Sequence, residues 1–144
     1  NNKTISFAES CTGGNLSSSI SKIPGASKIF IGSIVSYSKF SKINILKIDE
    51  SELDNYSTVS EEITIKMAES VKQKLKTDYS IAITGNAGPT VDSPETNLGD
   101  CFVAIMSDNE IFCQKFQFDC NREDFINLAT NSSFQLFFDK IIKQ

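Results

Sequence analysis

Residues 3–20, KTISFAESCTGGNLSSSI, change within a few positions from an apolar run to a cluster of small polar side chains. The first six of them predict a strand over 3–8, and the helix that follows is expected from Gly14 to Ile23. Ser10 stands between the two, where a strand-to-helix turn can hold either a nucleophile or an ordinary helix-capping serine. The residues of the turn leave both alternatives open.

The rest of the chain continues the alternation of strand and helix. Thr58 followed by Glu61 fits a capping box at the start of a helix over 60–76. The other predicted elements are a strand over 30–37, a short helix within 38–48, strands over 79–84, 101–106 and 111–118, and a closing helix over 122–142. This order predicts an α/β protein: a three-layer α/β/α single domain over residues 1–144, whose mostly parallel, mixed sheet has about five strands, one of them antiparallel in a hairpin.

The composition restricts the partners and the chemistry. A net charge of −4 and a pI near 4.8 argue against nucleic acid as the main partner. No stretch approaches the roughly 20 apolar residues of a membrane span, so we expect no membrane association. The four cysteines lack the C-x-x-C spacing, which favours reduced thiols in a cytoplasmic protein over disulfides or a metal site. Because the chain has no histidine, a Ser-His or Cys-His catalytic pair is excluded.

Two small-residue loops follow predicted strands, at the edge of the sheet where α/β proteins bind ligands. The first is ESCTGG, and the second is TGNAGP, which begins at Thr84 after an apolar strand. The backbone amides of residues 11–14, with the positive end of the helix dipole, can hold an oxyanion or a phosphate. For the second loop, a close backbone approach to a ligand and a plain connection are equally compatible with the residues.

Lysines follow the second strand in the segment YSKFSK, residues 37–42. A lysine can activate a serine when burial lowers its pKa, which makes Lys42 a candidate base for Ser10. The alternative, which the residues alone favour, is that Lys39 and Lys42 are solvated on a surface helix. Cys11 is a rival nucleophile, but without a histidine to form its thiolate a small buried thiol is the better interpretation.

Arg122 opens the closing helix, where the helix dipole disfavours a cation unless an anion lies nearby. An arginine in this place therefore predicts an anionic ligand, such as the phosphate of a mononucleotide. The alternative is a surface arginine paired with Glu123 or Asp124.

The chain resembles the CinA C-terminal domain family over about residues 5–140. The resemblance rests on AESCTGG, PGAS, VSYSKFSK with its Tyr-x4-Lys spacing, TVSEE…MA and AITGNAGP, in that order. The family includes stand-alone bacterial deamidases, which hydrolyse the carboxamide of nicotinamide mononucleotide (NMN) to nicotinate mononucleotide and ammonia. The resemblance implies a three-layer α/β/α fold, Ser10 as the nucleophile, Lys42 as its base and Tyr37 close by. The substrate contacts that it implies are Cys11, Thr12, Gly13, Gly14, Thr84, Gly85, Ala87, Gly88 and Arg122.

The resemblance also implies a small mononucleotide substrate, a homodimer, and neither a metal nor a cofactor. The absence of a molybdopterin-binding-like domain from these 144 residues favours the stand-alone enzyme. The chain departs from the family pattern at Asn86, which replaces an apolar residue, and at TVDSPETNLGD, which lacks a glycine pair. Because that loop helps to frame the pocket, the alternative function is a non-catalytic nucleotide-binding module, CinA-like and associated with competence or damage.

Overall fold

The computed structural model describes residues 2–143. Its strands are β1 (Ile5–Glu9), β2 (Phe30–Val35), β3 (Tyr79–Gly85), β4 (Asp100–Met106) and β5 (Ile111–Gln117). Its α-helices are α1 (Asn15–Ser21), α2 (Lys39–Asn44), α3 (Glu50–Tyr56), α4 (Glu61–Leu75) and α5 (Arg122–Phe137). A 3-10 turn lies at Ala26–Lys28, and one π-helical turn follows α5 at Phe138–Ile142.

The strands form one sheet in the order β2-β1-β3-β4-β5. Strand β1 pairs in parallel with β2 on one side and with β3 on the other. Strand β4 pairs antiparallel with both β3 and β5, so four of the five strands run in the same direction. The predicted mixed, mostly parallel sheet with one antiparallel hairpin strand is therefore confirmed.

Two hydrophobic cores cover the two faces of the sheet. Helices α1 and α5 pack on one face, where Phe7, Leu16 and Phe125 are fully or almost fully buried. Helix α4, with Leu53 of α3, packs on the other face around Met67. Every residue of the interior strand β1 is buried, because both faces of that strand are covered. These three layers confirm the α/β/α architecture.

The sequence did not predict α3, and it predicted the wrong cap for α4. Leu53 is the one buried residue of α3, so the segment ESELDNY has no apolar periodicity. The cap of α4 is Ser60, whose side chain accepts a hydrogen bond from the amide of Ile63 at 3.3 Å. Thr58 does not begin the helix, since its carbonyl oxygen accepts a hydrogen bond from the hydroxyl of Thr84 in β3.

Gly85 ends β3 where that strand, β4 and α5 meet most closely. A β-carbon there would lie 2.6 Å from the carbonyl oxygen of Asp100 and 2.9 Å from Cζ of Phe125. We therefore expect Gly85→Ala to lower the free energy of unfolding by about 1–3 kcal/mol, measured by urea denaturation. In the control Gly32→Ala, the new carbon meets Cδ1 of Leu75 at an ordinary 3.5 Å, and stability should stay the same or rise by up to about 1 kcal/mol. Equal losses in the two variants would contradict this account of the packing.

Candidate active site

The carboxyl ends of β2, β1 and β3 bring three separate sequence segments together. Strand β1 lies between β2 and β3, so the chain crosses over β1 on its way from one neighbour to the other. Such a switch in direction opens a crevice at the strand ends, where α/β proteins bind ligands. Here it opens a cleft of about 1090 Å³. Ser10, Tyr37, Lys42, Gly85 and Arg122 all line it.

Ser10 and Lys42 form a direct pair at the buried end of this cleft. The Nζ atom of Lys42 lies 2.7 Å from Oγ of Ser10. The same Nζ donates to the carbonyl oxygen of Ser36 at 2.7 Å and lies 3.5 Å from the carbonyl oxygen of Tyr37. Ser10 is 7 % exposed and Lys42 only 1 %, so the pair is shielded from bulk water. The alternative of a solvated lysine is wrong for Lys42.

The start of α2 explains why one lysine points inward and the other outward. Ser38 caps α2 by accepting the amide hydrogen of Ser41, and the hydroxyl of Ser41 accepts the amide hydrogen of Ser38 in return. This reciprocal cap fixes the helix directly after β2. Lys39 then projects to Asp54 of α3, at 2.6 Å, while Lys42 turns towards Ser10. The solvated alternative therefore describes Lys39, whose side chain is 45 % exposed.

Burial tunes the chemistry of Lys42. It lowers the pKa of the amine from its ordinary 10.5 to about 8, against smaller opposing effects of Cys11 and Asp92. A neutral amine has two hydrogens and one lone pair. With its hydrogens directed to the carbonyl groups of Ser36 and Tyr37, the lone pair can accept the proton of Ser10.

Arg122 joins the two sides of the cleft at its mouth. Its guanidinium donates to the hydroxyl of Tyr37 at 2.7 Å and to the carbonyl oxygen of Gly88. No ion pair of Arg122 with Glu123 or Asp124 is found among the residues that the structure describes. The arginine thus lies at the cleft rather than in the local surface pair that was the alternative.

The second loop lines the cleft, and a buried asparagine in it holds the segment that follows. Thr84, Gly85, Ala87 and Gly88 all line the cleft. Asn86, 4 % exposed, donates to the hydroxyl of Thr96 at 2.9 Å and to the carbonyl oxygen of Asn97 at 3.0 Å. Its own side-chain oxygen accepts the amide hydrogen of Asp92 at 3.0 Å. The asparagine at position 86 and the altered loop over 90–100, the two departures from the family pattern named above, are therefore structurally connected, because the side chain of Asn86 holds that loop in place.

Asp92 attaches the same loop to the connection between α3 and α4. Its carboxylate accepts hydrogen bonds from the hydroxyl of Ser57 at 2.7 Å and from the amide of Thr58 at 3.0 Å. Partial burial raises the pKa of Asp92, but these hydrogen bonds and the charge of Lys42 outweigh it, so the net pKa is lowered. A negative charge is thus held on the wall of the cleft beside the base.

The turn after Ser10 differs from the expectation in one respect. Cys11 lines the cleft, but Thr12, Gly13 and Gly14 are not among the described residues that line it. Cys11 also belongs to the core cluster that contains Cys101, and the interaction with its thiol, together with burial, raises the pKa of Cys101. A contact between the substrate and residues 12–14 remains a prediction.

Glu9, which the sequence analysis did not single out, occupies the N-terminus of α1. Its fully buried carboxylate accepts the amide hydrogens of Leu16 at 2.8 Å and Ser17 at 3.0 Å. The amides of Leu16 and Ser17 are therefore not free for a substrate anion, whereas binding of an anion by the amides of residues 11–14 remains a prediction. No local sequence pattern signalled this role, because Glu9 is the last residue of β1 and lies six positions before Asn15, the first residue of α1.

The family can be assigned from comparison with known proteins. A family model described as the CinA C-terminal domain matches residues 1–141. The chain belongs to this family. It is 40 % identical over 140 residues to a CinA-like protein of Flavobacterium psychrophilum and 38 % identical over 143 residues to one of Fervidobacterium nodosum. These alignments cover 97 % and 99 % of this chain but only 34 % and 35 % of the relatives, so the chain spans about a third of their length.

Solved structures of the CinA superfamily share the fold. One from Klebsiella pneumoniae 700603 matches with a TM-score of 0.95 and 26 % identity, over 99 % of this chain and 89 % of that one. One from Escherichia coli matches with a TM-score of 0.92 and 28 % identity, over 95 % and 80 % of the two chains. Both are described as competence-damaged protein (CinA) superfamily proteins. Within residues 2–143, no helix combines the length and the apolar character that crossing a membrane requires.

The lowered pKa of Lys42 gives the pair a measurable pH dependence. A fluorophosphonate transfers its phosphonyl group to an activated serine, and the serine must give up its proton as fluoride leaves. The rate of Ser10 labelling should therefore rise as the pH rises through about 8, where the amine of Lys42 becomes neutral. Lys42→Arg should abolish this rise, because arginine stays protonated. Lys39→Ala should keep it, and labelling that is independent of pH in the unmodified protein would contradict the base assignment.

Proposed function

We propose that this CinA-family chain hydrolyses the carboxamide of NMN to nicotinate mononucleotide and ammonia, with Ser10 as the nucleophile and Lys42 as the base. The observation that carries the proposal is the 2.7 Å contact between Lys42 Nζ and Ser10 Oγ in a chain without histidine. It is supported by the lowered pKa of Lys42, which provides a neutral amine at mildly alkaline pH.

In the first half of the reaction, Oγ of Ser10 attacks the carboxamide carbon while Lys42 takes the hydroxyl proton. The tetrahedral intermediate collapses when its C–N bond breaks, and Lys42 returns the proton to the leaving nitrogen, which departs as ammonia. Water then attacks the acyl-enzyme ester, again giving a proton to Lys42. Cleavage of the ester releases nicotinate mononucleotide and restores the hydroxyl of Ser10.

The turn after Ser10 offers donors for the oxyanion. Two amides of the turn already have acceptors and are not available to the substrate. The amide of Ser10 donates to the carbonyl oxygen of Ile83 at 3.0 Å, and the amide of Gly13 donates to the carbonyl oxygen of Ser10. Among the described residues, no acceptor is found for the amides of Cys11 and Thr12. Amides that are held rigidly beside a nucleophile stabilise the negative charge of a tetrahedral intermediate. We assign the oxyanion to the amide of Cys11, because of these two residues it is Cys11 that lines the cleft.

The phosphate of the substrate is assigned to Arg122. Glu9 already occupies the N-terminus of α1, whereas the guanidinium of Arg122 lies at the mouth of the cleft beside Tyr37. A guanidinium binds a phosphate through paired, charge-assisted hydrogen bonds. In this arrangement the carboxamide reaches the buried Ser10 while the phosphate stays near solvent.

The alternative function is a nucleotide-binding module without catalysis. It rests on the loop after Asn86, which differs from the family pattern and is held by hydrogen bonds from Asn86. Release of ammonia from NMN separates the two functions. Nicotinamide riboside and unrelated amides serve as comparison substrates. A protein that binds NMN but releases no ammonia would support the alternative.

The nucleophile can be tested by replacing each of the two adjacent candidates. Ser10→Ala should lower kcat for ammonia release by about 10³-fold or more, because no acyl-enzyme can form. Cys11→Ser should keep most of the activity, since Cys11 is a buried member of the core cluster and serine is close to it in size. Circular dichroism checks that both variants are folded. Loss of turnover in Cys11→Ser but not in Ser10→Ala would mean that the nucleophile is the cysteine.

The phosphate assignment predicts a difference between two substrates. Arg122→Ala should lower kcat/KM for NMN by about 10- to 100-fold, the value of one charge-assisted hydrogen bond. The same variant should have a much smaller effect on nicotinamide riboside, which has no phosphate. Lysine at this position should recover part of the loss, because it keeps the charge but not the paired geometry. Equal losses on both substrates would show that Arg122 does not contact the phosphate.

A further inference from the structure

We infer that Glu9 is the positioning residue of the catalytic pair: its carboxylate holds the strand, the turn and the helix that set the place of Ser10 relative to Lys42. The inference deepens the proposed function and, as an account of catalysis, rests on it. Glu9 directly precedes Ser10 and is fully buried, and nothing in the proposed reaction requires it to touch substrate.

The side chain of Glu9 joins three parts of the fold. One carboxylate oxygen, Oε1, accepts from the hydroxyl of Thr12 at 2.7 Å and from the amide of Leu16 at 2.8 Å. The other, Oε2, accepts from the amide and the hydroxyl of Ser17 and, at 3.4 Å, from the hydroxyl of Ser33 in β2. All five groups donate to Glu9, and each carboxylate oxygen faces one backbone amide, of Leu16 or Ser17, that can only donate, so both positions require an acceptor.

The backbone of Glu9 continues this connection to the base. Its carbonyl oxygen accepts the amide hydrogen of Ser36 at 2.8 Å, and the carbonyl oxygen of Ser36 in turn accepts a hydrogen from Lys42 at 2.7 Å. One residue therefore fixes both the turn that carries Ser10 and the strand end that orients Lys42.

Glu9→Gln tests this role with almost no change in volume. In either orientation the amide nitrogen of glutamine would face a backbone amide, of Leu16 or of Ser17, which can only donate, so the turn must shift. Because a misplacement of about 1 Å can cost about 100-fold in rate, we expect kcat to fall by about 10- to 100-fold with little change in KM. The matched control is Glu110→Gln, in the exposed turn between β4 and β5, which should behave as the unmodified protein.

Fluorophosphonate labelling distinguishes positioning from a merely structural role. Positioning predicts that Glu9→Gln still labels about one serine per chain, but more slowly, in parallel with the loss of kcat. A structural role predicts fewer sites labelled at an unchanged rate per site, because part of the protein would be unfolded. Both measurements are made well below the melting temperature of each variant.

The outcomes separate this inference from the proposed function. If the unmodified protein is labelled at Ser10 but does not hydrolyse NMN, the substrate is wrong and the labelling rates still test Glu9. If Glu9→Gln labels and turns over at the unmodified rate, the positioning role is overturned. If the unmodified protein neither labels nor turns over, the catalytic pair and the role of Glu9 are both overturned.

Discussion

The arrangement of the whole site depends on an amino group that is held out of water beside a serine hydroxyl. Lowering the pKa of Lys42 from 10.5 to about 8 costs on the order of 3 kcal/mol of folding stability at neutral pH, because the folded state disfavours the charged amine. This cost is complete below pH 8 and disappears as the pH rises to 10.5, where the unfolded chain also loses the proton. The carbonyl oxygen of Ser36 partly offsets this cost by accepting one hydrogen of the amine.

Three helices begin near the site, and their first residues make different contacts. Helix α1 gives its first amides to Glu9, so this end of the helix stabilises the turn after β1. Helix α2 is fixed by its serine cap and delivers Lys42. Helix α5 begins with Arg122, which reaches the cleft. The general expectation that an anion binds where a helix begins is therefore met at α1 by a carboxylate of the protein itself.

The departure of this chain from the family pattern is structurally coherent. Asn86 would be costly to bury if its amide were not satisfied, yet it makes three side-chain hydrogen bonds to the loop that follows. Asp92 then attaches that loop to the connection before α4. The loop is thus an ordered wall of the same cleft that contains the Ser10–Lys42 pair.

The sequence by itself determined the alternation of strands and helices, the mixed sheet and the two loops at strand ends, because hydrophobic periodicity and turn residues act locally. The resemblance of short motifs added Ser10 and Lys42. Only the tertiary structure decided that Lys42 is buried and Lys39 is not, since both stand on one short helix and differ only in what packs around them. Only the structure revealed α3, which has a single buried residue, and the roles of Glu9 and Asn86. Their partners lie up to 24 and 11 residues away, and no local pattern records which distant donors will converge on one carboxylate or amide.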